Sequence, residues 1–533
     1  MRKDTVTIKI PYASGRNNLI EDLTLDDLIR ISDRTIDKAI EPIWDALEKA
    51  NLDKEDIDLV ILAGGSSQLP GVYTKIRDVV GINPRIIPRN LMLAISYGAT
   101  LYQRELFDLP NLKRDIRTLG YSLGLIVDDG GRRTVKILLN HNQKLPARQE
   151  YRFPISDGQS IASINLVTLM GNTEKIHKKL KQRNLQLSGN AKEIVVEITV
   201  TENRVIEVTA YDPDNKTEKS IIQVDSNVLS KDEVTTKRKD LGMHTVSNSR
   251  RSNMQPCIGI DLGTTTTELT YANRTGNIEL SHLKNPEAPP QYSEYCFPSV
   301  IYFKNGMENP EIANGKACDA LENADASENV CGSFKIASRD SYVTSVDGKP
   351  ISVGDLSALL LNKVWETAKS QFDNMDLRSA IVTVPAAFDF DECQETYNAA
   401  ILAGIEKVTL IDEPTAAFLY YKHVQHLDTT NIRNVLVFDF GGGTADVAVL
   451  DVKNDALAES HEYKDCLYSV LGVSGAVGCG GKTIDDDLVE EIKTRFETKH
   501  NCKISATNIR RLKAEVEKAK VTLSDYYNES GEY

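Results

Sequence analysis

The chain has 533 residues, 41% hydrophobic and 26% charged, which supplies apolar mass for several cores and argues against widespread disorder. A formal net charge of −14, from 63 Lys and Arg against 77 Asp and Glu, argues against a nucleic-acid backbone as the main partner. No run reaches the roughly 18 apolar residues of a membrane span. The opening MRKDTVTIKIPYASG alternates like a strand and lacks the apolar centre of a secretion signal. Eight cysteines without CxxC pairing or histidine partners at metal spacing fit a reduced, cytoplasmic setting.

In chain order, Met1–Pro11 reads as a strand. Thr24–Asn51 is helical, with Thr24 as cap, Asp27 three residues on, and Leu28, Ile36, Ile40, Ile43 and Leu47 at helical spacing. Pro42 should interrupt it. Asp58–Gly71 (DLVILAGGSSQLPG) is a buried strand opening into a turn at Gly64, Gly65 and Ser66 before a helix, and Leu91–Leu106 is helical again. From about Ile116 to Val224 the pattern alternates (EIVVEITV, RVIEVTAY, KSIIQV), with turn-like breaks at Glu202–Arg204 and Asp212–Lys216. That block is expected to be an antiparallel sandwich. Residues 226–253 are polar and read as a flexible linker with a turn of helix at Ser230–Lys239.

Two stretches in the second half share one plan. Cys257–Ala272 (CIGIDLGTTTTELTYA) runs strand, Asp261, Gly263, then Thr264, Thr265, Thr266 and a second strand. Val435–Leu450 (VLVFDFGGGTADVAVL) runs strand, Asp439, then Gly441, Gly442, Gly443, Thr444 and a second strand, with Asp446 within it. Glycine turns expose successive N–H groups that suit an anion, and an aspartate at the strand end can hold a cation through water. Each alone is compatible with an ordinary hairpin; two copies suggest a bipartite phosphate and magnesium clamp.

This pair resembles the phosphate loops of the actin-like ATPase superfamily, specifically the DnaK-type seventy-kilodalton heat-shock chaperones. The resemblance implies two α/β lobes with duplicated ribonuclease-H-like cores, binding ATP or ADP with Mg²⁺, and a β-sandwich that holds unfolded or extended apolar polypeptide. It implies magnesium held through water by Asp261 and Asp439. Lys335 in FKIASR is similar to the lysine near the transferred phosphate, and Glu413 in LIDEPTAA to the catalytic glutamate. Asp261, Asp439 and Thr444 join these two in the implied catalytic group. Gly263, Thr264, Thr265, Thr266 and Gly441–Thr444 would cradle phosphates. Gly480 and Gly481, Glu517, Lys520 and Ser524, and Gly64, Gly65 and Ser66 would contact the rest of the nucleotide. Gly475–Thr483 (GAVGCGGKT) also satisfies a relaxed Walker A pattern, with Lys482 as its lysine, but is expected to be a decoy. In the sandwich, Ile161, Ile164 and Leu166 are candidates for a peptide cleft or for core. J-domain and nucleotide-exchange co-chaperones are the implied partners. Gln68 and Val521 replace arginines that pack on adenine in the family, so adenine affinity should be weaker. Cys393 replaces an interdomain relay arginine, and the link Asp108–Arg117 is less leucine-rich than the family's.

The order is rotated: residues 1–110 resemble the end of the nucleotide domain, 111–225 the sandwich and 254–533 the beginning of the nucleotide domain. A circular permutation without the helical lid gives this order. A monomer closing its own cleft, a swapped dimer and a rearranged reading frame all accommodate it, as does a catalytically weak nucleotide-binding module.

Overall fold

The computed structural model describes residues 4–87, 91–108, 119, 121–129, 132–140, 143, 145–169, 176–201, 203–214, 222–223, 229–243, 255–323, 329–336, 344–372, 375–428, 430–452 and 468–530. Two α/β lobes are built on one plan, a hairpin continued by parallel strands. In the first lobe the sheet runs Ser281–His282, Thr266–Ala272, Cys257–Leu262, Ser379–Val384, Lys407–Asp412, with Phe297–Pro298 also on Thr266–Ala272. In the second it runs Ser469–Val477, Thr444–Asp451, Asn434–Phe440, Leu59–Ala63, Arg85–Ile86. Leu59–Ala63 lies parallel to Asn434–Phe440, with Ala63 beside Asp439, so strands far apart in sequence complete one sheet. Those strands are buried on both faces, as their unbroken apolar runs require.

Between the lobes, the helices Ala94–Asp108 and Glu413–Gln425 pack against each other, sharing a core with Ile381 of one sheet and Val435 of the other. A Cβ at Gly98 would fall 1.7 Å from the carbonyl oxygen of Ala416, so glycine sets that close approach. The expected Thr24–Asn51 helix is two helices, Leu25–Ile40 and Pro42–Ala50. Thr24 and Asp27 form the capping box, and Pro42 starts the second helix, where its missing N–H costs nothing.

The middle block is the expected sandwich. One sheet is Ile222–Gln223, Ile206–Tyr211, Glu193–Val200, Ala147–Pro154; the other is Arg132–Leu139, Ser122–Asp129, Ile161–Leu169, Ile176–Gln186. All strand pairs in both sheets are antiparallel. Ile164 and Leu166 are buried in its core, whereas Ile161 is 44% exposed. Of the cleft candidates, then, only the exposed Ile161 is open to an extended peptide, because strand alternation turns Ile164 and Leu166 inward.

The sandwich docks on the outer edge of the first lobe's sheet. The Asn203 side chain donates to the Val408 carbonyl at 3.2 Å and accepts from the Leu410 N–H at 3.0 Å. Arg204 forms a buried ion pair with Asp412 at 3.0 Å. Phe390 of the lobe sits in the sandwich core cluster. Within the stretch expected to be flexible, Lys231–Asp240 is a helix capped by Ser230. Arg238 donates to the Leu402 carbonyl, and Leu241 and Met243 enter the first lobe's core, so residues 229–243 are bound to that lobe. Residues 109–118 and 244–254 lie outside the described residues.

Candidate functional site

A cavity of about 370 Å³ opens between the lobes. Its first wall is the turn between Cys257–Leu262 and Thr266–Ala272. Six register pairs from Cys257–Ala272 to Leu262–Thr267 hold that hairpin, placing Asp261 at the strand end. Asp261, Gly263, Thr264, Thr265 and Thr266 all line the cavity. Thr383, from the neighbouring parallel strand, donates to Asp261 Oδ1 at 2.8 Å. The second wall is the glycine turn between Asn434–Phe440 and Thr444–Asp451, from which Asp439, Gly441, Gly442 and Thr444 line the same space. The two turns meet: a Cβ at Gly442 would come 2.6 Å from Thr265 Oγ1. Both aspartates therefore face one cavity, from opposite lobes.

Glu413 opens its helix directly after the Lys407–Asp412 strand, with Pro414 at the second helical position. Its carboxylate pairs with Lys335 at 2.8 Å, both groups buried and both lining the cavity. Lys335 also donates to the carbonyl of Leu262. Gly64, with φ of +77°, turns the chain under Asp439; a Cβ there would sit 2.4 Å from Asp439 Oδ1 and 2.4 Å from the Phe440 carbonyl oxygen. Ser66 donates to the Gly441 carbonyl at 2.8 Å, tying the glycine-serine turn to the second hairpin.

The far end of the cavity is lined by Gly65, Ser66, Gln68, Gly481, Glu517, Lys520, Val521 and Ser524, with Leu91, Met92 and Tyr292. Glu517, Lys520 and Ser524 come from the Ala506–Ser530 helix, whose Leu512, Val516, Ala519 and Leu523 are buried in the second lobe's core. Lys520 pairs with Asp485 at 2.8 Å. Gly443 and Gly480 stand behind this wall: Gly443 accepts from the Gly478 N–H, and a Cβ at Gly480 would fall 2.6 Å from Gly442. The Walker-like stretch does form strand, turn and helix. However, the N–H groups of Gly481 and Lys482 donate to the carbonyls of Gly441 and Gly442 at 3.1 and 2.8 Å. A P-loop needs such N–H groups free for phosphate, so the turn braces the second hairpin instead.

Burial, then the charge of Glu413, raises Asp261 to about 7 and Asp446 to about 7, and lifts Asp439 well above the carboxylate range. Burial, then Asp261, raises Glu268 to about 8. Burial raises Asp485 to about 6 against the pull of Lys520. Asp439 Oδ1, Asp446 Oδ2 and Glu268 Oε1 are buried without hydrogen-bond partners among the described residues. Carboxylate oxygens held inward and unpartnered suit a hydrated cation, whose charge reverses such shifts. Threonine hydroxyls and glycine turns beside them suit a polyphosphate.

The sequence reading did not single out Glu268, Asp485, Met92 or Tyr292. Glu268 was hidden within a strand and Met92 at a helix start. Asp485, one turn after the Gly480–Gly481 pair, carried the best available signal.

A family model described as Hsp70 protein matches residues 2–255 and 257–532. The chaperone protein DnaK of Mycoplasmopsis synoviae (strain 53) is 32% identical over 270 residues, 50% of this chain and 40% of that protein. The matched region thus spans less than half of that relative's length.

Proposed function

The chain belongs to the Hsp70 family, and on that premise we propose that it binds ATP and ADP with magnesium between its lobes and hydrolyses ATP there. The associated role is a chaperone cycle, in which nucleotide state controls the hold of the sandwich on extended apolar polypeptide. J-domain and nucleotide-exchange proteins are the partners this reading implies. The observation that carries it is the single cavity faced by both hairpins, with Asp261 on one side and Asp439 on the other.

In this reading Thr264, Thr265 and Gly441–Thr444 hold the phosphates, where hydrolysis depends on positioning and charge neutralisation. Lys335 offsets charge at the transferred phosphate. Glu413, fixed by Lys335, orients the attacking water. Asp261 and Asp439 would hold magnesium through water, and the ion would supply charge neutralisation on the phosphates. Glu517, Lys520 and Ser524 face the sugar. Gln68 and Val521 leave the base without cationic stacking, so discrimination between ATP and GTP should be small.

We read the order as a circular permutation of the family's domains, with residues 1–110 and 254–533 forming the nucleotide domain and 111–225 the sandwich. In the reading adopted, the chain is a monomer that closes its own cleft, with Leu59–Ala63 completing the sheet of Asn434–Phe440. Light scattering should return a monomer mass; a dimer would favour exchanged halves.

The decisive experiment is single-turnover ATP hydrolysis with and without Mg²⁺. We expect Mg²⁺-dependent turnover that falls at least a hundredfold in Glu413→Ala and in Asp439→Ala, about 2.7 kcal/mol at the barrier. A parent chain without turnover would favour an idle binding module. A labelled apolar peptide released on ATP addition checks the chaperone half.

A further inference from the structure

Glu268 stands directly across from Asp261 in the first hairpin. Residues opposed in an antiparallel pair project from the same face with Cβ atoms about 5 Å apart. Both accordingly line the cavity. Glu268 is only 2% exposed, and its Oε1 has no hydrogen-bond partner among the described residues. Its strand neighbours Thr267 and Leu269 are fully buried, so the position lies at the wall of the first lobe's core. A carboxylate is costly to keep there unless something in the cavity receives it.

Thr266 and Cys296 hydrogen-bond to the Glu268 side chain, but no ion pair among the described residues reaches it. Lys335 is held by Glu413 and the Leu262 carbonyl, and Lys520 by Asp485. Across the cleft, Asp439 leaves Oδ1 equally unpartnered. Seven carboxylate side chains line the cavity against three lysines. A cation accompanying a polyphosphate meets unused acceptors there.

Building on the nucleotide reading, we propose that Glu268 is a third carboxylate acceptor for the hydration shell of the divalent cation, beside Asp261 and Asp439, and makes nucleotide binding conditional on that cation. With the cation present, Glu268 gives its hydration shell a further acceptor and so tightens binding of the nucleotide that accompanies it. That gain widens the ratio of nucleotide affinities with and without the cation, and linkage requires the nucleotide to tighten cation binding by the same factor.

The test is calorimetric titration of the full chain with ADP, in Mg²⁺ and in EDTA, for the parent and Glu268→Gln. The ratio of the two affinities is expected to fall fivefold or more in Glu268→Gln, through weaker binding in Mg²⁺. Mn²⁺ binding to the ADP complex, read by electron paramagnetic resonance, should weaken by the same factor. A ratio changed by less than fivefold overturns the proposal, as does equal weakening in both conditions. Glu268→Leu, which keeps bulk without charge, carries the same expectation should the glutamine variant not fold. A parent that binds ADP in neither condition overturns the nucleotide reading together with this one. A parent that binds, with its ratio unmoved in both variants, overturns this proposal alone.

Discussion

Asp439 is held from below by Gly64, and that contact leaves no room for a side chain. The φ of +77° at Gly64 is one that L residues rarely adopt, and a methyl group would collide with the Asp439 carboxylate and with backbone at Phe440. Gly64→Ala is therefore expected to cost about 2–3 kcal/mol of stability and to weaken nucleotide binding, checked by denaturant unfolding and by ADP titration. Wild-type stability in Gly64→Ala would show that the turn relaxes freely. Asp261 and Asp439 were legible in the sequence because one short pattern occurred twice, and a repeated turn with an acid at the same offset constrains chemistry. Glu268 was not legible, because in a strand of alternating character it reads as a solvent-facing residue. Only the register against Asp261 reveals that it points into the cavity.

Helix ends were readable where the cap lies in the adjacent sequence, as at Thr24 and Asp27, yet Asp27 does more than cap. It accepts from the Thr24 N–H at 3.3 Å and from Arg495 at 2.6 Å, joining the first helix to the Gly481–His500 helix. Burial pushes its carboxyl up, but the hydrogen bonds from Arg495, Thr24 and Arg30 outweigh it and hold the pKa at about 2. A carboxyl depressed in the folded state stabilises fully above its ordinary value near 3.8, and that contribution disappears as pH falls through about 2. Asp27→Asn is expected to melt a few degrees below the parent at pH 6, with the gap closing towards pH 2, in thermal unfolding across that range. A gap independent of pH would assign the loss to the cap alone. The partner of Asp27 lies more than four hundred positions away, so no local pattern could announce it. The Walker-like stretch shows the reverse case: its motif was legible, but what its N–H groups do depends on the carbonyls of another hairpin.

At the scale of the whole molecule, the sandwich meets the first lobe through a turn that looked like a mere break between strands. Arg204, with φ of +57°, reaches Asp412, and both side chains are nearly inaccessible. Asp412 immediately precedes Glu413. Cys393 is close enough for Arg204 and Asp412 to influence its thiol, although burial dominates in pushing it up to about 12. The arginine at this junction thus comes from the sandwich. Removing one partner of a buried pair strands the other, so Arg204→Ala is expected to loosen the docked sandwich by about 3 kcal/mol or more. Hydrogen exchange over residues 407–412 should quicken in Arg204→Ala and recover in Arg204→Lys; unchanged exchange would mean that Asn203 and Phe390 hold the junction without the ion pair. The sandwich was readable from alternation, and the two lobes only through the resemblance that the paired hairpins carry. Their docking was not, because it is made by single polar residues in turns.

The pairing of Leu59–Ala63 with Asn434–Phe440 also governs how the protein can be made. A ribosome delivers the earlier strand long before its partner, at about 5–20 residues per second, which leaves that apolar edge waiting on the order of 20–70 s. During that interval the nascent chain presents an unpaired apolar strand edge open to association. Yield of intact protein should therefore respond more to translation speed and to helpers at the exit tunnel than to the stability of the finished fold.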